Sequence, residues 1–185
     1  MTITDDPRIY VASLADYNAG RLHGRWIDLD GKTIEEVHEE IEEMLKTSPI
    51  PGAEEWEIHD YEGVTRGIYR AGLSAIVAYV TALADMYDDN YREGFAAYVE
   101  YVGSNYFAQS PDDVTEEFRD AFLGVWESLG DFAAQYAEDV GLISDMDAFN
   151  TAGLVIDWEG TAEGWESDWL ASADLPNGVA IWRRV

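Results

Sequence analysis

The side chains of this chain that could do chemistry are three histidines and 38 carboxylates, and their spacing decides what chemistry is open to them. Glu35-x-x-His38 has the separation of a ligand pair on a di-iron helix, but the sequence holds no second such pair. His38-Glu39-Glu40-Ile41-Glu42 lacks the second histidine of a zinc-protease helix. His23 and His59 stand alone, and local hydrogen bonding is the expectation for both. Asp28-Leu29-Asp30-Gly31 and Asp145-Met146-Asp147 resemble pieces of a calcium loop without its twelve-residue pattern, central glycine or closing acid. With no cysteine, thiolate ligands, disulfides and cysteine nucleophiles are ruled out together. Two carboxylates would suffice for a glycosidase, yet nothing singles out a pair. There is no phosphate-cradling glycine loop and no serine elbow. The sequence therefore predicts no metal, no cofactor and no catalytic residue.

What remains is the charge. Acids outnumber the 11 bases to give a net charge of -27. The excess is 10 over residues 1–66, 7 over 67–120 and 10 over 121–185, so no single tail or loop carries it. Self-repulsion on this scale opposes compaction. The chain is nonetheless 47% apolar and 13% aromatic, which suits a packed core and not a disordered acidic tail. An anionic surface is repelled by nucleic acid and acidic lipid, so neither is expected as a partner. No stretch approaches the roughly 20 apolar residues of a membrane span. No basic and apolar leader opens the chain, and a cytoplasmic location is expected. Adaptation to high salt would explain many acids and only two lysines; so would a binding module or chaperone for basic proteins. Imitation of DNA would give the same composition. Duplex DNA carries one charge per about 1.7 Å, so this net charge matches about 46 Å, or roughly 13 base pairs. Composition leaves these readings open.

The elements that must carry the acids follow from periodicity and caps. Ile9–Ala12 reads as a strand, followed by a turn-rich segment through Gly24 and a second strand at Arg25–Leu29. Asp30-Gly31 marks a turn, and Thr33 with Glu36 has the form of a capping box. The helix it opens has a stripe of Ile34, Val37, Ile41, Met44 and Leu45. Its other side crowds Glu35, Glu36, Glu39, Glu40, Glu42 and Glu43 together, with Lys46 the only Lys or Arg before Pro49. Like charges at such spacing destabilise a helix. Trp56–Tyr61 alternates as a strand and completes a small α+β domain over residues 1–66.

Residues 67–120 read as a mainly helical domain, with an apolar run at Leu73–Tyr87 and a helix at Tyr91–Tyr101 closed by Gly103. Ser110-Pro111-Asp112-Asp113 starts a further helix that exposes Glu116, Glu117 and Asp120. Residues 121–185 form a second α+β domain. A strand from Phe122 turns into a helix capped by Ser128 and Asp131 and stopped at Gly141. Leu129, Phe132, Ala133, Tyr136 and Val140 make its apolar stripe; Asp131, Glu138 and Asp139 fall on the other side. A short helix from Ser144, a strand at Leu154–Trp158, a helix at Thr161–Leu170 and a strand at Val179–Arg183 complete the chain. Trp26, Trp56, Trp126 and Trp158 lie in or beside expected strands and are assigned to the core.

Several blocks together carry a resemblance. Ile9–Gly20 with Leu22-His23-Gly24-Arg25-Trp26-Ile27-Asp28 resembles the opening signature of the ArdA antirestriction family. Glu57–Gly63 and Arg92–Tyr98 resemble its next blocks, and Phe122–Gly141 its antirestriction motif. Ile156-Asp157-Trp158-Glu159 and Val179–Arg183 are similar to its C-terminal part, in family order over nearly the whole chain. The resemblance implies an elongated, curved homodimer of three small domains in a row. It implies a non-enzymatic mimic of B-form DNA that occupies the DNA-binding groove of type I restriction-modification enzymes, in their specificity and methyltransferase subunits. Such inhibitors protect incoming mobile DNA elements. On this reading Glu35, Glu36, Glu39, Glu40, Glu42, Glu43, Asp112, Asp113, Glu116, Glu117, Asp120, Asp131, Glu138 and Asp139 form the mimicking surface. Trp126, Phe132 and Tyr136 are candidates for a dimer interface.

Overall fold

Alternation along Arg8–Ser13 sends Ile9 and Val11 to one side, and this strand, β1, lies at the centre of a three-stranded antiparallel sheet. Its neighbours are β2 (Gly24–Asp28) and β3 (Trp56–Glu62), with Tyr10 opposite both Trp26 and Asp60. A bulge in the β1–β3 pairing falls at Tyr10/Val11. The protein is described from a computed structural model over residues 6–143, 153 and 155–184. The helix expected from Ser144 to near Gly153 lies outside them, Gly153 apart. Helix α2 (Ile34–Lys46) packs on the sheet and buries Val37, Ile41 and Met44, while Ile34 and Leu45 are half-buried. Its capping box is complete: the Thr33 hydroxyl accepts from the Glu36 amide at 3.3 Å, and Glu36 accepts from the Thr33 amide at 2.8 Å.

The segment after β1, expected to be turn-rich, opens with a short helix, α1 (Leu14–Asn18), capped by Ser13. That helix holds a fully buried carboxylate. Asp16 Oδ2 accepts from the Ser48 hydroxyl at 2.6 Å, which ties α1 to the segment after α2. The Ser48 hydroxyl is the main reason its carboxyl is held below the usual range, against the opposing effect of burial; Ser13, His23 and Arg21 add to it. Beyond β3 come α3 (Arg66–Ala71), α4 (Leu73–Ala84), α5 (Asp89–Val102), α6 (Ser104–Gln109) and α7 (Pro111–Ala121). Helix α4 is apolar nearly all round and buries eight of its residues, as an interior helix must. The Tyr69 hydroxyl donates to the Ile58 carbonyl at 2.9 Å and fixes α3 to β3.

Two compact units result. One draws on Thr2–Asp88 and Val99–Thr115, the other on Asp89–Tyr98 and Glu116–Val185, so α5 and α7 each contribute to both. In the second, β4 (Phe122–Trp126) and β5 (Leu170–Leu175) flank β6 (Gly178–Arg183) in an antiparallel sheet. Helix α8 (Leu129–Asp139) packs on it through Phe132, beside Leu170 and Ile181. Phe95, Tyr98 and Phe118 form a further aromatic core that reaches Trp182, itself fully buried.

Four expectations are corrected here. Val155–Asp157 is not a strand: Asp157 accepts from the Gly160 amide at 2.9 Å and caps α9 (Trp158–Glu166), so Trp158 opens a helix. The helix expected to reach Leu170 stops at Glu166, because Leu170–Leu175 pairs with β6 as a strand. Of the tryptophans assigned to the core, Trp26 is 36% exposed and Trp56, Trp126 and Trp158 are half-buried. Val140, placed in the apolar stripe of α8, is 51% exposed, because it is already the residue past the last helical turn.

Candidate functional site

The acids of α2 form two rows at helical spacing, Glu35–Glu39–Glu42 and Glu36–Glu40–Glu43. At about 1.5 Å rise per residue each row spans about 10 Å of axis. Every one of them is exposed except Glu40, which is half-buried. Two bases from outside the helix reach its acids. Arg25, whose side chain points to the helix side of the sheet, donates from Nη2 to the Glu40 carbonyl at 2.7 Å and to Glu40 Oε2 at 3.2 Å. The same nitrogen lies 3.7 Å from Glu43 Oε2, and Lys32 Nζ donates to Glu40 Oε1. Glu42 faces Lys46 at 3.5 Å with both side chains well exposed, a pair worth little in water. Glu35 and Glu39 have no ion-pair partner among the described residues. The second row is thus anchored at its centre, and the first row faces solvent with only Glu42 paired, to an exposed lysine.

On α7, Asp112, Asp113, Glu116 and Asp120 are exposed and Glu117 is half-buried. Asp112 and Asp113 belong to one compact unit, and Glu116, Glu117 and Asp120 to the other. On α8, Asp131, Glu138 and Asp139 are exposed. Asp131 also has a structural part. Its amide donates to the Ser128 hydroxyl at 3.1 Å, and that hydroxyl donates to Asp131 Oδ2 at 2.7 Å. Asp139 accepts from Gln135 Nε2 at 2.9 Å, one turn back. The C-terminus of α8 closes with Gly141 at φ +70°; its amide reaches the Glu138 carbonyl and the Leu142 amide reaches Ala137, the pairing of a Schellman motif.

The candidate interface residues lie in one aromatic cluster. Phe132 is 3% exposed and contacts Trp126, Tyr136 and Trp165 at ring separations of 5.5, 5.5 and 6.4 Å. Tyr136 and Trp126 are half-buried at its margin, with Trp126 Nε1 donating to the Leu123 carbonyl at 3.0 Å. Sequence reasoning gave no part to Arg25, Lys32 or Glu159 in fixing this surface. Glu159 Oε2 accepts from the Gly130 amide at 2.8 Å, capping α8 from α9 across 29 residues. Partners that distant leave no local periodicity to read.

The histidines are separate. His23 Nε2 lies 2.9 Å from the Met44 carbonyl, His59 packs on Tyr17 at 4.9 Å, and exposed His38 faces Trp56 at 6.3 Å. Among the described residues no group of His, Asp and Glu is placed to hold a metal ion, and no helix is long and apolar enough to cross a membrane.

Comparison with individually curated proteins gives no match. The model of one family does match, over residues 9–173 of the 185: the antirestriction proteins named ArdA. That span includes both sheets in whole or part, all six acids of α2 and the capped helix α8. The chain belongs to the ArdA antirestriction protein family.

Proposed function

We propose that this antirestriction protein acts by presenting the charge pattern of B-form DNA to a type I restriction-modification enzyme, occupying the groove of its specificity and methyltransferase subunits. The observation that carries this reading is the exposed carboxylate row Glu35–Glu39–Glu42, whose only ion-pair partner among the described residues is a solvated lysine. A basic groove that releases counterions from DNA phosphates gains in the same way from such a row. The acids of α7 and α8 extend the anionic surface along the chain. No bond is made or broken: inhibition is occupancy. Two copies associating as a homodimer would double the length of DNA imitated.

Redundancy among the acids sets the expected result. Glu39→Gln alone should change inhibition less than about twofold, as one charge among many. Reversal of Glu35, Glu39 and Glu42 to Lys together should abolish it and flatten its salt dependence. Displacement of DNA from a purified type I complex, followed over a salt series, measures both. Failure of the unmodified protein to displace DNA at low salt would sink the reading.

A further inference from the structure

The face of the first sheet turned away from α2 brings aromatic rings together with a guanidinium and carboxylates. Cross-strand pairing places Arg8 between Asp28 and Glu62, and Tyr10 between Trp26 and Asp60. The Tyr10 and Trp26 rings meet at 5.6 Å. Gly24 permits the close approach of the strands here: a Cβ would lie 2.4 Å from the Val11 carbonyl oxygen and 2.9 Å from the Tyr10 hydroxyl. Upon this platform lies the chain's own guanidinium. Arg8 Cζ stands 4.7 Å from the Trp26 ring centroid while its Nε donates to Glu62 Oε2 at 2.7 Å. Arg8 and Glu62 keep 39% and 47% of their side-chain surface exposed, so the seat opens to solvent.

A ring face for stacking, with carboxylates at its edge, is the arrangement that selects a planar guanidinium over an ammonium. Trp26 is 36% exposed with Tyr10 half-buried beside it, and Trp and Tyr within a polar rim are the residues that dominate protein interfaces. We propose that the outer face of β1–β3 is an arginine-docking platform for a basic protein partner, formed by Trp26, Tyr10, Glu62 and Asp28, in which Arg8 is an internal occupant that a partner arginine displaces. The platform rests on the reading of a basic protein partner given above and adds to it a contact that charge alone does not provide. Carboxylates alone favour arginine modestly through bidentate pairing; the Trp26 ring face adds a stacking preference that carboxylates do not supply.

The test uses the full chain and two peptides of equal charge, hexa-arginine and hexa-lysine, titrated by calorimetry at fixed ionic strength. The unmodified protein should prefer hexa-arginine by about tenfold, in the range of a partly desolvated cation–π contact. Trp26→Ala should cut the preference to the small excess that carboxylates alone give, and leave hexa-lysine binding unchanged. Arg8→Gln, which leaves the rings in place, should strengthen hexa-arginine binding several-fold more than hexa-lysine binding. Equal affinity of the unmodified protein for both peptides would overturn the platform, as would an unchanged preference in Trp26→Ala. If Trp26→Ala does not fold, equal gains for both peptides in Arg8→Gln overturn it as well. Displacement of DNA from the restriction enzyme is scored separately. Displacement without arginine preference refutes the platform and spares the mimicry, and arginine preference without displacement does the reverse.

Discussion

Asp16 illustrates how much one side chain can bear in a protein most of whose described acids face water. It is fully buried, one of its oxygens is satisfied by Ser48, and the other has no hydrogen-bond partner among the described residues. Its folded carboxyl lies below the usual value, led by the Ser48 hydroxyl. The stability it contributes is therefore complete above its unfolded pKa and is lost as pH falls through the folded one. Asp16→Asn should lower the urea midpoint at pH 7 and flatten the loss of stability seen below about pH 4. Gly178 makes a different demand. It has φ +151°, and a Cβ would stand 2.2 Å from the Trp126 carbonyl oxygen, a backbone atom that cannot turn aside. Gly178→Ala should cost about 2 kcal/mol or more in denaturant unfolding, through strain and overpacking together.

At the scale of elements, legibility followed range. The capping box of α2, the Ser128 cap and the Gly141 stop were readable because each is complete within a few residues. Sheet pairing was not. Leu170-Ala171-Ser172-Ala173-Asp174-Leu175 has little β propensity and becomes a strand because β6 offers it a ladder. Leu154-Val155-Ile156 carries the β-branched signal, yet Asp157 acts as a cap three residues before Gly160 and starts a helix. The short helices α1, α3 and α6 have five or six residues each, too few for a periodic stripe. In the candidate site, the acids were legible from composition and spacing, whereas the Arg25 and Lys32 clamp on Glu40 became visible only in the fold. The aromatic cluster on α8 gives this scale its own prediction. Phe132→Asp places a charge at a site 3% exposed and should unfold the unit. Tyr136→Asp, at the half-buried margin, should stay folded and convert the proposed dimer to monomer. Circular dichroism with light scattering separates the two outcomes.

For the whole molecule, the net charge of -27 makes stability depend on salt, and on the proposed mimicry inhibition depends on it with the opposite sign. Raising NaCl from about 20 mM to about 0.5 M shortens the screening length from roughly 20 Å to about 4 Å. Self-repulsion falls, and the melting midpoint should rise by several degrees; the exposed Arg8–Glu62 and Lys46–Glu42 pairs are too weak to reverse that trend. Displacement of DNA should weaken over the same range. A midpoint that falls with salt would show that paired charges outweigh unpaired ones.

The way the chain is threaded between its two units has a consequence for how it is made. Residues 99–115 belong with the unit begun by Thr2–Asp88, but 89–98 are claimed by the other. Tyr79 of α4 meets Phe107 of α6 at 6.0 Å, and Val114 closes the same unit fully buried. A nascent chain leaving the ribosome after residue 98 has therefore synthesised most of its first unit and cannot yet close it. The apolar surface of α4 must wait for the next helices to emerge, so translation speed through that stretch sets how long a chaperone could bind it.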